Sequence, residues 1–432
     1  MKKITRRSFL KCTAVLAGTA ALSACGSAAS ASTALSAAGS SAGTATGEPV
    51  DMLLWLPPNG ADDASDQTFW EETLAPWAKE NNVNLSLEIT PWSNYEEKYL
   101  TAFSSGEGPD VGYMYLEMFN DFIDMGALLD VDSYFTDDEK SNYLYWDKGN
   151  MKGGQYAVPF IVGNARILYF NMDLLGKAGV TTLPGTWEEF VETLVKIKDA
   201  NLGVDTFQQC WADPTIGSLN EIFYPFFWQA GGELYNDEGK IALLDNDAAV
   251  TTAQWLLDLK DKYGVLGEDS MSLSEGDVKE AFTNGQVAVA CMPTNRASSF
   301  TEAGINWDFV SSLENKTKAI WVASDALIVN AATKNPDMAA KLIKFITSGD
   351  VMTAYHQQIA AFPPITKDEK YNDNAAFEDM YTNQTQYFKT LPVASGSFKM
   401  MDTLYKNLQL VMLGELAPQD AIQQTVDYAN SL

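Results

Sequence analysis

The chain has 432 residues, with 29 basic against 57 acidic side chains and a net charge of −28; 46% hydrophobic and 20% charged residues are ordinary globular proportions. So acidic a surface offers no basic patch to a phosphate backbone and argues against nucleic-acid binding, while saying little about a small ligand. The length suggests two domains, and beyond the N-terminal run no apolar stretch approaches a membrane span.

The chain opens on a charged start, Lys2, Lys3, Arg6, Arg7 and Lys11, followed by a weakly apolar segment from Cys12 to Ala24. That segment reaches about 20 Å as a helix against roughly 30 Å for a bilayer core, so residues 1–24 are expected to be a signal peptide outside the fold. Arg6-Arg7-Ser8-Phe9-Leu10-Lys11 resembles a twin-arginine export signal, with a plain secretory signal as the alternative. Leu22-Ser23-Ala24-Cys25-Gly26 resembles a bacterial lipobox, in which Cys25 would be acylated and become the mature N-terminus. Residues 26–47 hold only Ala, Gly, Ser and Thr apart from Leu35. Residues 25–47 therefore read as a lipid-anchored flexible linker, reaching roughly 25 Å.

Further along, strands and helices alternate. Trp70, Leu74 and Trp77 fall at helical spacing, with a kink or early end expected at Pro76. Leu85, Leu87 and Ile89 alternate as a strand; Tyr95, Tyr99 and Phe103 mark a helix stopped by Ser104-Ser105-Gly106. Pro109-Asp110-Val111 opens a strand running through Tyr115. Thr186-Trp187-Glu188-Glu189 has the form of a capping box, and Phe190, Leu194 and Ile197 continue its apolar face. Ala249, Ala253, Leu256 and Leu259 mark a helix ending near Gly264. Asn284-Gly285 turns into a strand at Gln286–Met292, and Asn335-Pro336 supplies an N-cap and first-turn proline before Met338, Leu342 and Phe345. No internal repeat is evident. The alternation predicts α/β layers with mainly parallel sheets.

Chemistry-bearing motifs are sparse. His356 is the only histidine, on a predicted helix, without a Cys or His partner at metal spacing, so neither a metal nor another cofactor is expected. Nucleophile elbow, P-loop, dinucleotide glycine fingerprint and zinc-protease motif are all missing. With Cys12 in the signal and Cys25 in the lipobox, Cys210 and Cys291 remain, either as a disulfide or as two buried thiols. Trp70, Trp187 and Trp255 read as packing residues. Trp55, Trp211 and Trp228 follow predicted strands or sit beside Gly-rich turns, where an aromatic face in an α/β crevice could stack on a sugar ring.

Taken in order, several segments closely resemble the extracellular solute-binding proteins of carbohydrate ABC transporters (family 1). They are Leu100 to Val111, Gly126-Ala127-Leu128-Leu129-Asp130-Val131, Tyr156-Ala157-Val158-Pro159-Phe160, Leu168 to Leu175, Thr186 to Phe190, Ala281 to Ala288, and Asn335 to Phe345. The resemblance implies an α/β fold of two lobes with a hinge and an interlobe ligand cleft: residues 48–160 with 325–362 as lobe 1, and 161–324 with 363–432 as lobe 2. It implies a monomeric, non-catalytic receptor at the outer face of the cell membrane, tethered through Cys25, that delivers a mono- or oligosaccharide to permease subunits. By position in these segments, ligand contacts are expected from Trp55, Asn59, Asp110, Tyr115, Glu117, Asn164, Arg166, Trp211, Trp228, Asn295 and Ser324. Arg166 reads equally well as half of a structural ion pair. Pro293-Thr294-Asn295-Arg296 lacks the Gly-Pro-Trp of many relatives, and Ile320 to Ser324 replaces a common Gly-Gly pair. The alternatives are the same transport role for a glycerol phosphate ester or polyamine, or a surface glycoside-processing enzyme.

Overall fold

The computed structural model describes residues 48–432 apart from 61, 237, 361, 371–374, 393 and 395. The twin-arginine segment and Cys25 lie outside the described residues. Two sheets carry the fold. The first contains β1 (Val50–Leu56), β2 (Val83–Ile89), β3 (Val111–Met114), β4 (Val158–Gly163) and β9 (Ala323–Val329) in the order β2-β1-β3-β9-β4. The second contains β5 (Arg166–Asn171), β6 (Asp205–Gln208), β7 (Val287–Pro293) and β8 (Trp307–Val310) in the order β8-β5-β7-β6.

Pairing is mixed rather than mainly parallel. β1/β2, β1/β3 and β6/β7 are parallel, but β9 runs antiparallel to both β3 and β4, and β5 antiparallel to both β7 and β8. The reversal follows from connectivity. β9 re-enters the first sheet after the chain has built the second, so it inserts against the direction of its neighbours. Periodicity within a strand carries no information about that. β3 and β7 are buried on both faces, as strands covered by helices must be.

Helix boundaries follow their caps. The first helix, Asp63–Glu80, starts at a capping box between Asp62 and Ser65 and runs through Pro76 without ending there. Pro76 and Glu72, whose carbonyl loses its donor, are both exposed, so water satisfies the orphaned acceptor. The helix Trp187–Asp199 is capped by the Thr186 side chain, but Glu189 Oε2 accepts from Gly185 N rather than from Thr186, so the box is half made. Asn335 precedes the helix Pro336–Ile346 without a side-chain cap bond. The strand expected at Gln286–Met292 is found one residue later, and the strand expected through Tyr115 ends at Met114, with Tyr115 opening the helix Leu116–Asp124.

The chain passes between the sheets at 163–166. Gly163 has φ +104°, and a Cβ there would lie 2.6 Å from the Pro363 ring, so two interlobe segments approach too closely for any side chain. Asn164 follows at φ +38°. The return runs through Ile320–Trp321, which pairs with Phe388–Lys389, into β9. The helix Ser397–Met412 packs on both the helix Ala248–Asp261 and the helix Leu116–Asp124, touching both lobes. Cys210 and Cys291 are buried free thiols.

Candidate functional site

Strand direction explains where the site forms. The C-terminal ends of β1, β3 and β4 in the first sheet, and of β6 and β7 in the second, face one crevice. The N-terminal ends of the antiparallel β9 and of β5 face it too. A cavity of about 390 Å³ lies there, within the size range of small-molecule sites. The first lobe contributes Asn59, Trp92, Tyr113, Tyr115, Glu117 and Asp325. The second contributes Cys210, Asp213, Asn220, Glu221, Glu275, Asn295 and Arg296, and the crossings add Asn164, Arg166 and Trp321.

Six of the eleven sequence-predicted positions meet at this cavity: Asn59, Tyr115, Glu117, Asn164, Arg166 and Asn295. Five do not. Asp110 precedes β3 at the opposite edge of the sheet, where its Oδ2 accepts from Leu53 N at 2.8 Å and its Oδ1 from Thr333 Oγ1. Trp55 turns into the first lobe's helical layer, edge-on to Tyr99 at 5.3 Å with Lys98 Nζ 3.7 Å above its ring. Trp211 is fully buried beneath the helix Ser397–Met412, whose Tyr405 and Gln409 donate to its carbonyl. Trp228 packs along Tyr224 in the helix Tyr224–Gln229. Ser324 is one residue off the wall, which its neighbour Asp325 forms. Alternation in β9 turns the two to opposite faces, and a register known only to within a residue selects the wrong one.

The lobes touch directly across the cavity. Asn295 Nδ2 donates to the Asn59 carbonyl at 3.2 Å, and Arg296 Nη1 to the Gly60 carbonyl at 3.3 Å. The buried Asp66 carboxylate holds that loop by accepting from Asn59 N at 3.1 Å and Gly60 N at 2.8 Å; burial pushes its pKa up to about 6. Tyr115 hydroxyl donates to Glu96, whose pKa burial raises to about 7.

Both guanidinium groups in the wall already have carboxylate partners. Arg166 Nε lies 3.0 Å from Glu221 Oε1, its Nη1 donates to the Asn164 carbonyl at 2.9 Å, and its plane sits 4.5 Å from the centre of the Trp321 ring. Arg296 makes a two-pronged pair with Glu275, at 2.8 and 2.9 Å. Burial raises the Glu275 carboxyl, but the Arg296 charge outweighs it and holds the group below its ordinary value.

Three wall carboxylates have no such partner. Glu117 is 3% exposed, and burial, reinforced by the charge of Asp325, lifts its pKa to about 8. Asp325 is raised to about 7 by burial, although it accepts from Tyr113 hydroxyl at 2.6 Å and feels Arg166. Asp213 is raised to about 6 by burial, with Oδ2 accepting from Glu275 N. Buried polar atoms without a hydrogen-bond partner also ring the cavity: Glu117 Oε1, Asn220 Oδ1, Asn295 Oδ1 and Trp321 Nε1. Among the described residues, no cluster of His, Cys, Asp or Glu is arranged to hold a metal ion.

Two lobes joined by chain crossings, with a ligand-sized cavity between sheet edges, define the architecture of periplasmic binding proteins. Residues 58–353 match the family model of the bacterial extracellular solute-binding protein, and the chain belongs to that family. Residues 3–23 match the signal sequence of the twin-arginine translocation pathway. A binding protein of Brucella abortus (strain 2308) is 23% identical over 374 residues, covering 84% of this chain and 89% of that protein. The diacetylchitobiose binding protein DasA of Streptomyces coelicolor is 24% identical over 309 residues, covering 66% and 68%. Among solved structures, an ABC transporter solute-binding protein of Thermotoga lettingae bound with α-D-tagatose superposes with a TM-score of 0.78 at 20% identity, covering 88% of this chain and 99% of that one.

Proposed function

We propose that this protein is the substrate-binding component of an ABC importer, exported by the twin-arginine route, anchored to the outer face of the membrane by lipid on Cys25, and active without catalysis. Its two lobes close on a carbohydrate and present it to the permease. The observation that carries this reading is the set of unpartnered buried polar atoms from both lobes, beside Trp92 and Trp321, around one cavity. Buried polar groups cost free energy until satisfied, so a ligand rich in hydroxyls, with an apolar ring face for the aromatics, suits such a wall. The tagatose and diacetylchitobiose named for relatives are of that chemical kind. Of the predicted positions, Asn59, Tyr115, Glu117, Asn164, Arg166 and Asn295 are the proposed contacts. A phosphate ester suits the wall less well, because Arg166 and Arg296 are already neutralised by Glu221 and Glu275.

Closure around a ligand is a population shift driven by contacts that both lobes make only when shut. Titration calorimetry of the purified chain against mono- and oligosaccharides tests the ligand class; a folded protein that binds none of them refutes it. Anchoring is tested separately. Cys25→Ser should abolish labelling by radioactive palmitate and move the protein from the membrane fraction to the medium, and unchanged fractionation refutes the anchor.

A further inference from the structure

The charges on the cavity wall do not balance. Five carboxylates line it, from Glu117, Asp213, Glu221, Glu275 and Asp325, against two cationic side chains, Arg166 and Arg296, each committed to one carboxylate. The excess is concentrated on the first-lobe wall, where Glu117 and Asp325 line the same cavity as the aromatic rings of Tyr113 and Trp92, and Tyr113 hydroxyl donates to Asp325. Glu117 has the strongest unmet requirement: its side chain is almost wholly buried, and Oε1 lacks any hydrogen-bond partner. Such a carboxyl can ionise only at a cost, and a ligand that carries both positive charge and N–H donors removes that cost directly. A metal ion fits poorly, since the carboxylates do not converge on one point. The neighbouring rings offer π faces suited to an organic cation or to the apolar face of a sugar.

Resting on the carbohydrate-receptor reading, we propose that the ligand class is an amino sugar, its protonated nitrogen held between Glu117 and Asp325 and its ring stacked beside Trp92. Neutral hydroxyls can satisfy the amide groups of Asn220 and Asn295, whereas two acidic groups outside any ion pair call for positive charge. Without a bound cation, burial keeps Glu117 mostly and Asp325 about half protonated at pH 7, raising them to about 8 and about 7. A bound ammonium favours their ionised forms, so binding at pH 7 releases protons.

The test is titration calorimetry of the purified full chain at pH 7 in two buffers of different ionisation enthalpy. The probes are the β-1,4-linked dimer of glucosamine, its N,N′-diacetyl form, cellobiose and spermidine. The free-amine dimer should bind at least tenfold more tightly than either neutral disaccharide, with an enthalpy that depends on the buffer. Glu117→Gln should cut that preference, read as the ratio of the two affinities, at least tenfold. Equal or tighter binding of the neutral disaccharides overturns the cationic assignment and leaves the carbohydrate reading standing. Binding of spermidine alone, or of no probe by a folded chain, overturns both.

Discussion

Glu117→Gln also probes the empty protein, through its stability. In the folded chain the Glu117 carboxyl is lifted from its ordinary 4.5 to about 8 by burial and by Asp325. The folded state therefore holds the proton more tightly than the unfolded chain. Stability from the neutral carboxyl is complete below the unfolded value and is lost as pH rises from about 4.5 towards 8. At about 1.4 kcal/mol per pKa unit the ceiling is roughly 4 to 5 kcal/mol; water entering the open cavity reduces this, and about 2 kcal/mol is the expected effect. Glutamine keeps the shape and does not titrate. Urea unfolding of both proteins should give closely similar stabilities at pH 5, with the variant about 2 kcal/mol more stable at pH 8. A difference that is the same at both pH values refutes the reasoning, since Glu117 would then ionise in the folded protein without penalty.

Arg166→Met removes the cation from the Glu221 pair and leaves a carboxylate 5% exposed without countercharge. It should cost about 3 kcal/mol in denaturant unfolding at pH 8, and the double variant Arg166→Met/Glu221→Leu should recover most of that loss. Gly163→Ala places a Cβ against Pro363 at φ +104° and should lower stability by roughly 1 to 3 kcal/mol in the same assay. Trp92→Ala should weaken ligand binding at least tenfold in calorimetry, with a modest change in melting temperature. Trp55→Ala should do the reverse, lowering stability by about 3 kcal/mol with affinity near that of the parent.

Legibility followed the range of the interactions involved. Caps, turns and amphipathic periods are local, so helices such as Trp187–Asp199 and strands such as Val83–Ile89 were readable in the sequence. Pro76 was misleading because its cost depends on whether the released carbonyl faces water, which is a tertiary property. The mixed sheets were hidden for the same reason: β9 pairs with β3 across more than two hundred residues. At the cavity, the positions found from ordered family segments cluster at strand ends, as with Asn59, Glu117 and Asn164. The tryptophan expectations failed to reach it because an aromatic after a strand packs inward as readily as it faces a crevice. Trp92 had a legible signal, lying just beyond the end of β2, itself a parallel strand of the first sheet. Asp325 had one too, in a lone acid beginning an otherwise apolar strand. Asp213, Glu221 and Glu275 had none, since nothing local separates them from many surface acids.

Two hydrogen bonds cross the cavity at the Asn59–Gly60 loop: Asn295 Nδ2 to the Asn59 carbonyl and Arg296 Nη1 to the Gly60 carbonyl. Net contributions near 1 kcal/mol each are of the same size as the cost of ordering the side chains involved, so these two bonds by themselves favour the shut form only weakly. A ligand at a hundred times its dissociation constant adds about 2.7 kcal/mol, enough to shift such a balance decisively. The Asn59–Gly60 loop is where that energy is felt, because it receives both second-lobe donors while Asp66 fixes its own N–H groups from beneath. On the proposed importer reading, these weak cross-cavity bonds and the braced loop make ligand occupancy, rather than intrinsic lobe affinity, the variable that sets closure.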